Sequence, residues 1–185
     1  MIFCLFGMKV QSGCIIELKY ILKKGNKEGE ILEIMDEHWP FKFLFGSRVL
    51  LPEFENALEG LEDGVHFDFT LKAQQAYGIS DPTKVIQVFK DDVQEDHRYP
   101  ISNYEIGDYI NLKLENEKVI NGSIKEIAND YFLVDTNHAM AGLDLFFEGQ
   151  VLNVRKARQD ELIHKRYIEP NGIRSDSRLN EPPNQ

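Results

Sequence analysis

The feature that most constrains the fold is a strand pattern that begins early in the chain and is completed only near its end. Cys14 to Lys23 places apolar side chains on one face and charged side chains on the other, which is typical of a half-buried strand. Leu145 to Lys156 is a second long strand that we expect to pair back into the same sheet. Between them lies Ile79 to Thr136, whose residue pattern differs from that of the first part. The sequence therefore predicts one discontinuous domain carrying an insert.

The rest of the first part indicates an antiparallel sheet crossed by one short helix. Glu30 to Met35 follows a turn and is predicted as a strand, Phe41 and Phe43 share a face of another, and Val65 to Leu71 alternates again. The expected fold class is therefore α+β.

The helix signal starts at Pro52, whose missing N–H costs nothing in a first helical turn. Gly60 or Gly64 is expected to end it. One apolar stripe is predicted along the helix, formed by Phe54, Ala57, Leu58 and Leu61.

The inserted stretch is predicted to be a small β-rich domain. Its strands are expected at Tyr109 to Glu115, Lys118 to Ile127 and Tyr131 to Asp135, with a short helical turn within Val85 to Val93. After the last long strand, Gln159 to Arg166 is predicted as a short helix. The polar residues beyond Pro170 are expected to be disordered.

The charge balance argues against nucleic acid as a partner. The chain carries 21 Lys and Arg against 31 Asp and Glu, a net charge of −10, without a dense basic stripe. Binding a phosphate backbone needs clustered positive charge. No apolar run reaches the ~20 residues of a spanning helix, so no membrane partner is expected either.

Cysteine and histidine positions give no indication of a metal site or a disulfide. Cys4 and Cys14 lack CxxC spacing, which favours free thiols in a reducing compartment and thus a cytoplasmic protein. The 5 histidines are scattered, and neither a nucleophile with a base nor a Gly-rich phosphate loop is present. We therefore predict no metal and no cofactor.

Short motifs on both sides of the insert carry a family resemblance. They are, in order, Pro40-Phe41-Lys42-Phe43, Leu50-Leu51-Pro52-Glu53-Phe54, Ala76-Tyr77-Gly78 and Asn137-His138-Ala139-Met140-Ala141-Gly142. In this order the chain resembles the FKBP-type peptidyl-prolyl isomerases, specifically their SlyD-like branch, in which a second domain is inserted late in the FKBP fold. The resemblance covers roughly Met8 to Ala157.

The resemblance implies a division of the chain into three parts. Residues 8–78 and 137–157 would form the FKBP-like isomerase domain, residues 79–136 an inserted chaperone-like domain, and residues 158–185 a short helix with a disordered tail. SlyD-like proteins often end in a His- and Cys-rich tail that binds nickel. Here Arg158 to Gln185 contains only His164 and no cysteine, so nickel binding is expected to be absent or weak.

The resemblance also implies a proline-binding pocket. Phe54 stands where many FKBPs place the tryptophan of the pocket floor, and Tyr77 matches the tyrosine whose hydroxyl donates to a substrate carbonyl. Leu32 and Glu33 fall where an apolar residue and an aspartate are usual, after a turn longer than in close relatives. The implied site residues are Tyr20, Leu32, Glu33, Phe41, Phe43, Leu50, Leu51, Phe54, Tyr77 and Phe147.

The expected activity is cis-trans isomerisation of X–Pro bonds, with unfolded or proline-containing polypeptides as partners and a monomeric enzyme. Taken singly, an aromatic residue on a strand face is more often core than site. A second hypothesis is a non-catalytic holdase or binding module on an FKBP fold, which Glu33 in place of aspartate and the altered turn before it slightly favour. A third is a docking platform for one partner protein.

Overall fold

The computed structural model describes residues 7–93 and 100–170, which form antiparallel sheets and two short helices. The elements are β1 (Cys14–Lys24), β2 (Ile31–Met35), β3 (Phe41–Leu44), α1 (Pro52–Leu58), β4 (His66–Leu71), β5 (Val85–Phe89), β6 (Tyr109–Lys113), β7 (Val119–Ile127), β8 (Tyr131–Asp135), β9 (Leu145–Lys156) and α2 (Gln159–His164). This is an α+β arrangement, as predicted, and it is compatible with an FKBP-like fold. The described residues divide into a first unit, 7–76 with 144–170, and a second unit, 77–93 with 100–143.

The sheet of the first unit is organised around β1. Strand β9 pairs with β1 along its whole length, so the predicted return of the chain into the first sheet is confirmed. On the other side of β1, β3 pairs with the first half and β2 with the second half. Strand β4 completes the sheet beside β9, giving the order β2-β1-β9-β4 with β3 on β1.

Helix α1 packs against β4 and begins where the sequence predicts, with Pro52 in its first turn. Phe54 and Leu58 are buried on its inner face. The helix ends at Leu58. The prediction that Leu61 extends the apolar stripe of the helix is therefore wrong, because Leu61 lies beyond the helix. Gly60, with φ of 80°, turns the chain into the left-handed region, and its N–H donates to the carbonyl of Val10 instead of continuing the helix.

The second unit is a four-stranded antiparallel sheet in the order β5-β8-β7-β6. Its core consists of Val88, Val93, Ile110, Leu112, Ile120, Ile124, Phe132 and Val134. The short helical turn predicted within Val85 to Val93 occupies only the end of that range, since Val85–Phe89 is a strand, not predicted from the sequence, that pairs residue by residue with β8. A single helical turn follows at Lys90–Asp92.

The Asn137 side chain joins two segments of the second unit by hydrogen bonds. The Asn137 Oδ1 accepts a hydrogen bond from the N–H of Asp81 at 2.9 Å, and its Nδ2 donates to the carbonyl of Asp81 at 2.9 Å. The same Nδ2 donates to the Asp135 carboxylate at 2.7 Å. The Asn137 side-chain amide thus pairs with the backbone of Asp81 as a strand neighbour would, near both ends of this unit.

Helix α2 is attached to the first unit through a buried carboxylate. It ends at His164, two residues before the predicted end, because Lys165 has φ of 54°. The Glu161 side chain accepts from Arg155 at 2.6 and 2.8 Å and from the backbone N–H of Arg158 at 2.8 Å. Tyr167 then packs with Ile15 and Leu44. The predicted disordered tail lies outside the described residues, and no helix among the described residues is long and apolar enough to cross a membrane.

The charge of Glu161 should make part of the stability depend on pH. Burial alone would raise its pKa, but the hydrogen bonds from Arg155 and from two backbone N–H groups lower the pKa to about 2. Because the folded-state pKa lies below the usual value, the stabilisation is complete above about pH 4.5 and is lost as the pH falls toward 2.

We therefore expect Glu161→Gln to lower the free energy of unfolding at pH 7 by on the order of 1–3 kcal/mol, since a buried charge-assisted pair is lost. Urea unfolding at pH 7 and pH 3 measures this. The difference between wild type and variant should shrink at pH 3, whereas Glu28→Gln, at an exposed carboxyl in the turn after β1, should change little at either pH. An equal difference at both pH values would contradict the prediction.

Candidate active site

Phe54 is the centre of an aromatic cluster in the first unit. Its ring centroid lies 5.0 Å from that of Phe147, 5.8 Å from Phe69, 6.2 Å from Phe43 and 6.4 Å from Tyr20. All four pairs are tilted or edge-to-face, and edge-to-face contacts are among the arrangements that ring quadrupoles favour. One helical residue is thus surrounded by rings from strands β1, β3, β4 and β9.

Strand pairing explains why these rings meet. Phe69 and Phe147 are directly opposite each other in the β4–β9 pair, and their rings stack at 5.4 Å. Residues directly opposite in an antiparallel pair point to the same face of the sheet. Tyr20 lies on that face of β1, 5.8 Å from Phe147, so alternation along three strands builds one aromatic surface under α1.

A wall of the cluster comes from β3. The Phe41 ring meets Tyr20 edge-on at 5.9 Å and stacks on Phe43 at 5.2 Å. Phe43 is buried, whereas Phe41 is only partly buried, so solvent reaches the cluster at Phe41. We call this set the aromatic cup; its members are Tyr20, Phe41, Phe43, Phe54, Phe69 and Phe147.

Gly149 allows the strands beneath the cup to come close. It pairs with Tyr20 on β1 and with Phe67 on β4. A Cβ at this position would lie 2.8 Å from the Phe67 ring and inside van der Waals contact with the carbonyl oxygen of Lys19. Any larger residue would therefore push Tyr20 or Phe67 out of place. Nothing in the sequence reasoning singled out this glycine.

The Tyr20 hydroxyl is held by the carboxylate of Glu33. It donates to Glu33 Oε1 at 3.1 Å. Strand pairing places the two together, because Tyr20 is opposite Met35 and Glu33 lies two residues away on the same face. Glu33 therefore supplies an acidic partner for the tyrosine hydroxyl at the cup.

Leu32 and the leucines before α1 take supporting positions. Leu32 lies at a β-bulge, between the pairs Leu22–Glu33 and Lys23–Ile31. Leu50 and Leu51 are partly buried and directly precede α1, where the carbonyl of Leu51 accepts from the N–H of Phe54 and so anchors the first helical turn.

Helix α1 is also tied to the loop before it. The Glu55 carboxylate accepts a hydrogen bond from the N–H of Gly46 at 3.2 Å. Burial raises the pKa of Glu55, although this hydrogen bond opposes the change. The loop between β3 and α1 is thereby fixed to the helix that carries Phe54.

Tyr77 belongs to the second unit, where its ring stacks on His138 with centroids 3.7 Å apart and planes 5° from parallel. Tyr77 is 39% exposed.

Of the predicted site residues, the structure brings together Tyr20, Glu33, Phe41, Phe43, Phe54 and Phe147 in the first unit. Phe69 was missed as a cup member, although the alternation of Val65 to Leu71 had indicated that it shares a face with Phe67.

The fold and the cup define a class of protein in which a short helix and an antiparallel sheet hold a cluster of aromatic rings between them. No family model matches the chain. Among curated proteins, the FKBP-type peptidyl-prolyl cis-trans isomerase SlyD of Yersinia pestis is 31% identical over 157 residues, which cover 85% of this chain and 76% of that protein. The SlyD proteins of Escherichia coli K12 and Treponema pallidum are 29% and 26% identical over 157 and 163 residues, covering 76% and 84% of their lengths.

The chain belongs to the SlyD family of FKBP-type peptidyl-prolyl cis-trans isomerases. It is therefore an isomerase, and isomerisation of X–Pro bonds during protein folding is the activity that its relatives support.

Proposed function

We propose that the aromatic cup holds the proline ring during isomerisation and that the inserted residues 79–136 capture unfolded chains. The observation that carries the first part is the set of rings around Phe54, with the Tyr20 hydroxyl oriented by Glu33. The second part is supported by apolar side chains exposed on the sheet of the second unit.

Catalysis by a cup needs no nucleophile. Amide resonance gives the X–Pro bond partial double-bond character and a rotation barrier of about 18–20 kcal/mol. A site that binds the twisted amide better than either planar form lowers this barrier. Aromatic side chains do so by packing against the proline ring of the substrate and by excluding the water that stabilises the charge-separated planar amide. Lowering the barrier by about 4 kcal/mol accelerates the flip about a thousandfold.

Each site residue has a proposed role. Phe54 is the floor of the cup, Phe147 and Phe43 are walls, and Phe41 forms the open rim. Tyr77 donates its hydroxyl to a substrate carbonyl, as the family resemblance implies. Leu32, Leu50 and Leu51 complete the apolar lining. No metal or cofactor takes part in this scheme.

Chain capture is assigned to the edges of the second unit. In the sheet order β5-β8-β7-β6, strands β5 and β6 are the outer strands. Phe89 at the end of β5 is 47% exposed and Tyr109 at the start of β6 is 56% exposed. Outer strands with exposed apolar side chains suit the addition of an extended polypeptide strand. The proposed partners are therefore unfolded, proline-containing polypeptides.

The proposal also includes a monomeric state, a location in the cytoplasm and no nucleic-acid partner. The net charge of −10 opposes binding to a phosphate backbone. Cys14 is a free, buried thiol, which suits a reducing compartment.

The isomerase proposal predicts faster refolding of a test protein whose folding is limited by a proline flip. Catalytic amounts of the enzyme should raise the slow refolding rate in proportion to enzyme concentration, with chelator present and without ATP, because the cup acts by binding and desolvation. The slow phase without enzyme is the control. A chain that suppresses aggregation yet leaves the slow phase unchanged at every concentration would be a holdase, and the proposal would be wrong.

A further inference from the structure

We propose that His138 is a positioning residue for the isomerase reaction and that it acts by fixing the phenol ring of Tyr77. The inference rests on the proposed role of Tyr77 as donor to a substrate carbonyl. No role for His138 follows from that proposal itself.

The contact between the two rings is close and parallel. Their centroids are 3.7 Å apart and their planes differ by 5°. The ring pairs of the aromatic cup lie farther apart, at 5.0 to 6.4 Å. A phenol ring stacked at this distance cannot swing about its Cα–Cβ bond, which is the rotation that moves the hydroxyl oxygen, without breaking the stack or displacing the imidazole. The stack therefore limits the directions in which the Tyr77 hydroxyl can point.

The imidazole is itself held by the turn that follows it. The N–H of Met140 donates to His138 Nδ1 at 3.2 Å, and the N–H of Ala141 donates to the His138 carbonyl at 2.8 Å. An Nδ1 that accepts a hydrogen bond carries no proton, so the remaining hydrogen of the neutral ring is on Nε2. Desolvation by the packed surroundings lowers the pKa of His138, which agrees with a neutral ring.

The turn is also held by hydrogen bonds from the residues before and after it. Asn137, the residue before His138, is hydrogen-bonded through its side chain to both backbone groups of Asp81 and to Asp135. Gly142 closes the same turn, since its N–H donates to the carbonyl of Gly78, the residue after Tyr77. Tyr77 and His138 thus lie on two segments that are joined by one backbone hydrogen bond and by two hydrogen bonds of the Asn137 side chain.

Orientation matters here because Tyr77 is 39% exposed. An exposed tyrosine samples several side-chain conformations, whereas a hydrogen bond from its hydroxyl requires an oxygen–oxygen distance near 2.7–2.8 Å and a nearly linear angle, to about 30°. Holding the donor in place before the substrate arrives removes an entropy cost from the transition state. The imidazole supplies that constraint without touching the substrate.

The test is a double-mutant cycle on a prolyl tetrapeptide, measured as kcat/KM. Tyr77→Phe keeps the stack and removes only the hydroxyl, so we expect a loss of about two- to tenfold. His138→Ala should cause a loss of the same order. In the Tyr77→Phe background His138→Ala should have no further effect, because no hydroxyl remains to be positioned.

Two more variants separate positioning from support of the turn. His138→Phe retains a ring that can stack but cannot accept from Met140, and we expect it to keep at least about half of the activity. His164→Ala removes an exposed histidine from α2 and serves as the matched control for loss of a histidine. Thermal unfolding of each variant establishes that it is folded under the assay conditions.

The outcomes are distinct. Losses that multiply in the double variant, or a His138→Phe variant as impaired as His138→Ala, would mean that His138 only supports the turn, and the inference would be wrong. Full activity of His138→Ala alongside an impaired Tyr77→Phe would also overturn it, while leaving the proposed function intact. Full activity of Tyr77→Phe would instead contradict the proposed role of Tyr77.

Discussion

Replacing residues 79–136 with a short Gly/Ser loop is expected to leave activity on a prolyl tetrapeptide within about twofold of the full chain while activity on an unfolded protein falls roughly tenfold or more. The cup residues Tyr20, Phe54 and Phe147 all lie outside the deleted segment, in a unit with its own sheet. A tetrapeptide needs only the cup and the Tyr77 hydroxyl. Tyr77, His138 and the hydrogen bond from the Gly142 N–H to the Gly78 carbonyl are all outside the deleted segment, so its isomerisation should survive.

An unfolded protein makes a different demand. A chain held by the second unit presents its prolines to the cup of the same molecule at an effective concentration of up to millimolar, because the two units are covalently linked. Without the insert, each encounter between cup and proline is bimolecular. Suppression of aggregation should disappear with the insert as well, since the proposed capturing strands β5 and β6 are removed.

A second variant serves as the matched control for the deletion. Phe89→Ser combined with Tyr109→Ser keeps the second unit but removes two exposed apolar side chains from its outer strands. It should reproduce part of the loss on unfolded protein without affecting the tetrapeptide. If the deletion variant folds and equals the full chain on both substrates, the insert is not a chaperone domain.

The other large effect is expected at Phe147. Phe147→Ala removes a buried ring that contacts Tyr20, Phe54 and Phe69. Truncation of a buried Phe costs about 3–5 kcal/mol of stability. Because the missing ring also opens a wall of the cup, kcat/KM on a tetrapeptide should fall roughly tenfold, equal to ~1.4 kcal/mol in the barrier.

Activity and stability must be separated for this variant. Phe147→Leu fills most of the volume and should fold with a smaller loss of stability and of activity. Assays at low temperature, with the folded fraction measured by circular dichroism, allow the rate to be given per folded molecule. A folded Phe147→Ala protein with full activity would show that the proline site lies elsewhere.

Local pattern was sufficient to predict most secondary structure. The alternation in Cys14 to Lys23 predicted β1, and Leu145 to Lys156 matched β9 at both ends. Alternation reports which side chains share a face, and that information is local. The helix error has a local cause, because Gly60 stopped α1 before Leu61, whereas the strand Val85–Phe89 forms by pairing with β8, a segment distant in the chain.

The sequence by itself determined that an antiparallel sheet and short helices would form, because periodicity and turn residues depend only on neighbours along the chain. Tertiary structure decided which residues meet. Glu33 reaches the Tyr20 hydroxyl, and Gly149 lets Tyr20 and Phe67 approach, only because strand register brings distant segments opposite one another. The stack of Tyr77 on His138 likewise joins residues on opposite sides of the insert, and no local pattern carries that contact.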